Sequence, residues 1–164
     1  FGGVDIIVHS AGLAISKPLE ETTHKDWGIL QDVLVKGQFD LAKQGVKIMR
    51  EQKLGGDYVF IASKNGLVSG PNNVAYGTAK AAQQHMTRLL AAELGKDHIR
   101  VNTVNPDGVI VGSKIWMGDW AEGRAKAYGI KVEELPDHYA KRNLLNEIIY
   151  PTDNLISGRI YIFR

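Results

Sequence analysis

The sequence predicts an α/β fold in which a parallel sheet is assembled through crossover helices. Two observations carry this reading. Short apolar runs alternate with long segments of helical period, and they do so at the spacing of strand, helix, strand rather than of hairpins. Each run is also closed by a residue that ends regular structure. Val4-Asp5-Ile6-Ile7-Val8-His9 is nearly continuous in apolar character and leads into Ser10-Ala11-Gly12, so it reads as a buried strand and a tight turn. From Thr23 to about Gln52 the period becomes helical, with Trp27, Leu30, Val33, Leu34, Phe39, Leu41, Ala42, Val46 and Met49 on the apolar face. Gly55-Gly56 punctuates the chain before a second strand, Tyr58-Val59-Phe60-Ile61-Ala62-Ser63. After the loop Gly70-Pro71-Asn72-Asn73, a long helix is expected from about Val74 to Gly95, with that glycine as its closing residue. Ile99-Arg100-Val101-Asn102-Thr103-Val104-Asn105 is a third strand, stopped by Pro106.

Residues 112–143 differ in character. Trp116, Trp120, Tyr128 and Tyr139 are interleaved with Lys114, Arg124, Lys126, Lys131, Lys141 and Arg142. The pattern predicts two short amphipathic helices anchored by their aromatics. It also fits a substrate lid inserted after a strand end, where α/β proteins place their ligands. The whole of residues 1–164 reads as one domain.

Composition narrows the classes of function. The hydrophobic fraction of 44% and charged fraction of 23% are those of a globular protein, and no run is long enough to span a bilayer. A net charge of +2 from scattered basic residues gives no support to nucleic acid as a partner. The absence of cysteine excludes disulfides, thiolate metal sites and a cysteine nucleophile, and no metal site is expected. A cytoplasmic, reducing compartment fits. The start at Phe1 without Met predicts that strands are missing at the N-terminal side. Near the other end, Tyr150-Pro151-Thr152-Asp153 resembles a helix start, yet Gly158-Arg159-Ile160-Tyr161-Ile162-Phe163 already reads as a strand. That spacing is too short for a helix and its return, and it predicts that residues are missing between Asp153 and Ser157.

The chemistry centres on Tyr76-Gly77-Thr78-Ala79-Lys80, which puts a phenol and an ammonium four residues apart on one helix face. A positive charge beside a phenol favours phenolate, so the Tyr76 pKa is expected to fall towards neutrality. Tyr76 then becomes a candidate general base for an alcohol, or an acid for the reverse reduction. Ser63 lies thirteen residues earlier, at the end of the second strand, where its hydroxyl can hold a substrate oxygen beside the phenol. Taken singly, an ordinary helical pair or a turn serine accounts for each residue.

Together, Ser63, Tyr76 and Lys80 stand at the spacing of the catalytic set of short-chain dehydrogenases/reductases, and the chain resembles that family on both sides of them. Val8-His9-Ser10-Ala11-Gly12 sits where the family has Asn-Asn-Ala-Gly. Arg100-Val101-Asn102-Thr103-Val104-Asn105-Pro106 is similar to its Arg-Val-Asn-x-x-x-Pro strand, and Ser157-Gly158-Arg159-Ile160-Tyr161-Ile162 to its last strand. The resemblance implies a Rossmann-like, doubly wound parallel sheet with helices on both faces. It implies Tyr76 as acid/base, Lys80 as the residue that lowers its pKa and binds the nicotinamide ribose, and Ser63 as the group orienting the substrate oxygen. Ala11, Gly12, Pro106 and Val109 would line the cofactor, NAD or NADP with NAD favoured, and the substrate would be a small molecule. Homo-oligomerisation through the helices of residues 23–52 and 74–95 follows by the same analogy.

Departures sharpen the reading. Leu34 stands where the family has a fourth catalytic residue, Asn, which puts the proton relay beyond Lys80 in doubt. Lys36 reads as a solvated lysine. Asp107 replaces the usual Gly after Pro106, as a turn or capping residue or as a substrate contact. Asp32-Val33-Leu34-Val35-Lys36-Gly37, Ala62-Ser63-Lys64-Asn65, Val104-Asn105-Pro106-Asp107 and Ile115-Trp116 together look like the dehydrogenase half of bifunctional aldolase/short-chain dehydrogenases. In these an N-terminal aldolase acting on rhamnulose 1-phosphate, in rhamnose catabolism, precedes a dehydrogenase oxidising lactaldehyde. The resemblance thus implies an aldolase domain upstream. The alternative is a catalytically impaired dehydrogenase-like domain kept for assembly or regulation. The sequence contains no Gly-rich phosphate turn and no residue that would choose between NAD and NADP. Residues 1–164 expressed alone are therefore expected to show no measurable NAD affinity by calorimetry; micromolar binding would contradict this.

Overall fold

A computed structural model describes residues 2–152. The expected last strand, the Asp153 cap and the residues expected to be missing between Asp153 and Ser157 lie outside the described residues. Three strands, β1 (Ile6–His9), β2 (Gly56–Ile61) and β3 (Ile99–Val104), form a parallel sheet in the order β1-β2-β3. The register pairs Ile7 with Tyr58 and Tyr58 with Val101. Alternation across this register sends Ile7, Tyr58, Phe60, Ile99 and Val101 to one face, which is the face the long helices cover. The opposite face carries Ile6 and Val8, both exposed, and an ion pair between Arg100 and Asp57 at 2.8 Å. Helices for that second face are not supplied by residues 2–152.

The segment predicted as one helix over residues 23–52 begins where expected. Thr23 caps it, its hydroxyl accepting from the Asp26 N–H at 3.1 Å while the Asp26 carboxylate accepts from the Thr23 N–H at 3.0 Å. The helix is not uniform. Between α1 (His24–Leu30) and α2 (Gly37–Gln52), residues Gln31–Lys36 form a π-helical stretch, and the Gly37 N–H donates to the Asp32 carbonyl. The wider turn shifts the apolar stripe, so one helical segment serves two cores. Leu30 and Leu34 pack with Ala75, Tyr76 and Ala79, whereas Ala42, Val46 and Met49 pack on the sheet at Tyr58 and Phe60.

Helix α3 (Val74–Leu94) runs across the same face, burying Leu90, Ala91 and Leu94 against β3. It ends at Leu94 with Gly95 as its C-cap, as predicted, but the glycine does not take left-handed backbone. Gly95 keeps right-handed helical backbone, a 3₁₀ turn continues through Asp97, and the left-handed residue is His98 at φ 57°. The His98 N–H closes on the Gly95 carbonyl at 3.1 Å, so the tightened turn carries the left-handed position three residues on. Beyond β3, α4 (Asp119–Tyr128) and α5 (Leu135–Ala140) form the two short helices expected over 112–143. Their buried residues Ala121, Ala125, Leu135 and Tyr139 make a small core of their own.

Helix α2 meets the sheet at Gly45. A Cβ there would run into Ile7 Cδ1 and the Tyr58 hydroxyl, which donates to the Ala42 carbonyl at 3.0 Å. Gly45→Ala is therefore expected to destabilise the full-length protein by about 1–3 kcal/mol, read as a lower urea midpoint, and an unchanged midpoint would contradict this packing.

Candidate active site

Ser63, Tyr76 and Lys80 meet at the carboxyl end of the sheet. Ser63 follows β2 in extended conformation and caps the 3₁₀ turn Lys64–Gly66, its hydroxyl accepting from the Asn65 N–H at 3.2 Å. Tyr76 and Lys80 lie on the first turns of α3, both buried. The Lys80 ammonium donates to the Ile61 carbonyl at 3.1 Å and sits 5.7 Å from the Tyr76 ring centroid. One turn further along α3, Gln84 donates to the Ser63 carbonyl at 2.6 Å and to Asn105 Oδ1 at 2.7 Å. These bonds join α3 to the ends of β2 and β3. The Trp120 ring of α4 closes over Tyr76 at 5.0 Å between centroids.

The electrostatics differ from the sequence expectation. Burial pushes the Tyr76 phenol up, and only the hydrogen bond with Ser63 pulls the other way. Lys80 was expected to bring the phenol towards neutrality, but desolvation of a phenol under Trp120 outweighs it. The same burial brings Lys80 down to about 8. Its ammonium stays the major form at neutral pH. His9, buried at the end of β1, is lowered first by burial and then by the charge of Lys80, and its Nδ1 has no partner among the described residues.

A cavity of about 710 Å³ opens in front of the triad. Ala11, Gly12, Ser63, Tyr76, Lys80, Pro106 and Val109 all line it, so every site residue expected from the sequence is brought to one place. The size falls within the range of small-molecule sites, and the position outside the carboxyl ends of parallel strands is where such folds bind ligands. The lining suits the nicotinamide end of a dinucleotide. Ala11, Gly12, Pro106 and Val109 line the cavity together with two hydroxyls and an ammonium, those of Ser63, Tyr76 and Lys80. Among the described residues no cluster of His, Asp and Glu could hold a metal ion, and no helix is long and apolar enough to cross a membrane.

A family profile described as enoyl-(acyl carrier protein) reductase matches residues 1–117. The chain belongs to the short-chain dehydrogenase/reductase family. It is 47% identical over 153 residues to an uncharacterized oxidoreductase, YuxG, of Bacillus subtilis, covering 93% of this chain and 22% of that protein. It is 36% identical over 108 residues to an NADP-dependent (R)-specific alcohol dehydrogenase of Lentilactobacillus kefiri, covering 65% of this chain and 43% of that one. Among solved structures, the sorbitol-6-phosphate 2-dehydrogenase SrlD of Erwinia amylovora superposes with a TM-score of 0.88 at 26% identity, over 94% of this chain and 60% of that one. The chain thus spans between 22% and 60% of the length of these proteins. The structural likeness also bears out the doubly wound, Rossmann-like architecture of this short-chain dehydrogenase/reductase chain.

Four features of the site escaped the sequence reading. Asp107, read as a turn or capping residue or a substrate contact, also pairs with Lys64 at 2.6 Å while lining the cavity. Gln84 and Asn105 hold the Ser63 segment, and the spacing of Gln84, four residues past Lys80, was a readable signal. The buried His9, whose Nδ1 has no partner among the described residues, stands where the family has Asn. The Leu34 side chain is fully buried and its carbonyl accepts from Gln83 at 2.8 Å, a contact that no local pattern announces.

The lowered Lys80 pKa sets a pH dependence of stability. Between about 8 and the ordinary 10.5 the native state holds fewer protons on this group than the unfolded chain, so stability rises with pH across that window. Below it the full penalty of the buried charge applies, on the order of 3 kcal/mol. Lys80→Met is expected to lose that rise, measured as urea-unfolding free energies from pH 7 to 10.5 relative to wild type; parallel curves would contradict it.

Proposed function

We propose that the protein carrying this chain is an NAD(P)-dependent oxidoreductase that interconverts a small alcohol and its carbonyl compound. The single observation behind this reading is that Ser63, Tyr76 and Lys80 face one cavity from three different turns of chain. The nicotinamide supplies or accepts the hydride. Ser63 orients the substrate oxygen against the phenol. Tyr76, kept protonated by burial, is ready to donate its proton to a carbonyl oxygen in the reductive direction. In the oxidative direction it takes the alcohol proton, and the charged Lys80 favours the phenolate needed for that. Lys80 and the phenol would hold the ribose side of the cofactor, and Ala11, Gly12, Pro106 and Val109 would line its site. The approach of Trp116 and Trp120 to the cavity supports residues 112–143 as the substrate lid.

The substrate we infer is a short hydroxy-aldehyde such as lactaldehyde. The subgroup motifs around Leu34, Lys64, Asp107 and Trp116 support it. The same motifs are the basis for proposing an upstream aldolase domain in a bifunctional protein. Trp27, Phe39, Ile48 and Leu89, exposed on the outer sides of the helices, support association of copies there. Preference between NAD and NADP is read by assaying both, with NAD the expected partner.

Tyr76→Phe in the full-length protein tests the whole reading. It is expected to lose at least 100-fold in lactaldehyde-dependent NAD reduction while keeping its far-UV circular dichroism. Unchanged turnover would reject Tyr76 as acid/base, and a wild type inert with every small alcohol would favour the impaired, regulatory domain that Leu34 suggests.

A further inference from the structure

Arg124 is 2% exposed, and no carboxylate among the described residues is paired with it. A buried guanidinium without a counter-ion is costly, so its contacts carry information. Nη1 donates to the Pro71 carbonyl at 2.7 Å, and Nη2 donates to the Tyr128 hydroxyl. The guanidinium carbon lies 5.6 Å from the Trp120 ring and 4.7 Å from the Tyr128 ring. The approach is close: a Cβ on Gly70 would stand 3.3 Å from Nη2.

The segment it grips leads straight into the helix that bears Tyr76. Three consecutive carbonyls of that segment are occupied. Pro71 accepts from Arg124, Asn72 accepts from the Lys17 N–H at 3.0 Å and the Ser16 hydroxyl at 3.1 Å, and Asn73 accepts from the Gly77 N–H at 2.8 Å. Asn72 takes left-handed backbone at φ 55°, a conformation that needs outside support in a non-glycine residue. The Asn73 side chain makes no capping bond to α3. The helix start is therefore held by its neighbours more than by its own cap.

We propose that Arg124 is a positioning residue for catalysis, tying α4 to the Pro71–Asn73 segment and pressing Trp120 onto Tyr76, so that the lid and the acid/base move as one unit. The inference rests on the oxidoreductase reading for its effect on turnover, but not for its effect on Tyr76. Loss of the clamp lets Trp120 withdraw, and a less buried phenol ionises more easily. Two cations, Arg124 and Arg142, meet on the Tyr128 hydroxyl, and Arg142 donates at 3.0 Å. Arg142 remains with Tyr128 in any Arg124 variant, which keeps α4 and α5 together.

The test uses the full-length protein with 13Cζ-labelled tyrosine, Tyr76→Phe assigning the resonance. In Arg124→Met the Tyr76 titration is expected to move down by about one pH unit relative to wild type, with Arg124→Lys between the two. In the same Met variant kcat is expected to fall on the order of 10- to 100-fold with KM changed far less, and millimolar guanidinium is expected to restore part of kcat in Arg124→Ala. A wild type without turnover, together with a shifted Tyr76 titration, sinks the oxidoreductase reading and leaves the clamp standing. An unmoved titration overturns the inference. So does lower stability with an unmoved titration, in which case Arg124 is only an anchor of the fold; if Arg124→Met does not fold, Arg124→Lys is read in the same titration.

Discussion

The attachment of α3 to the carboxyl rim of β2 is the constraint on which this structure depends. Lys80 bonds the Ile61 carbonyl, and Gln84 bonds the Ser63 carbonyl and Asn105, all within or beside the cavity wall. A strand end has carbonyls with no further strand partner, and leaving them buried without donors is costly. Here α3 side chains supply the donors. Because those donors are spaced by single helical turns from Tyr76, satisfying the strand end also sets where the phenol sits relative to Ser63. Stability and site geometry are met by the same bonds.

Burial governs the chemistry of the site. Charge alone favours a Tyr76 phenol of low pKa, yet the packing of Trp120, Leu34 and Ala75 removes enough water that desolvation prevails and the phenol is raised. Lys80 responds to the same environment in the opposite direction, as a cation must. The two groups are driven apart in proton affinity by one cause. The π-helical stretch contributes as well, since it turns Leu34 inward beneath Tyr76 while letting the rest of the helix face the sheet. The two short helices complete the enclosure, and their aromatics link the cavity wall to a separate small core.

Much of this was legible in the chain itself. The three strands and the helical span from Thr23 follow from period, a local property, and the meeting of Ser63, Tyr76 and Lys80 was implied by their resemblance to a family's catalytic set. Gly95 closes α3 as its type suggests, while a further tightened turn passes the left-handed position to His98. The π-helical stretch was invisible because its apolar residues keep an ordinary helical spacing, and only contact with α3 selects the wider turn.

What the sequence determined by itself is the parallel order of elements and the identity of the groups at the rim, since both depend on residues near one another along the chain. What the tertiary structure decided is the protonation of those groups and their partners. The Tyr76 pKa, the Asp107–Lys64 pair and the grip of Arg124 on Pro71 join residues separated by 43 positions or more, or depend on how much water the packing excludes. Desolvation is a property of the assembled surroundings, and no local pattern encodes it.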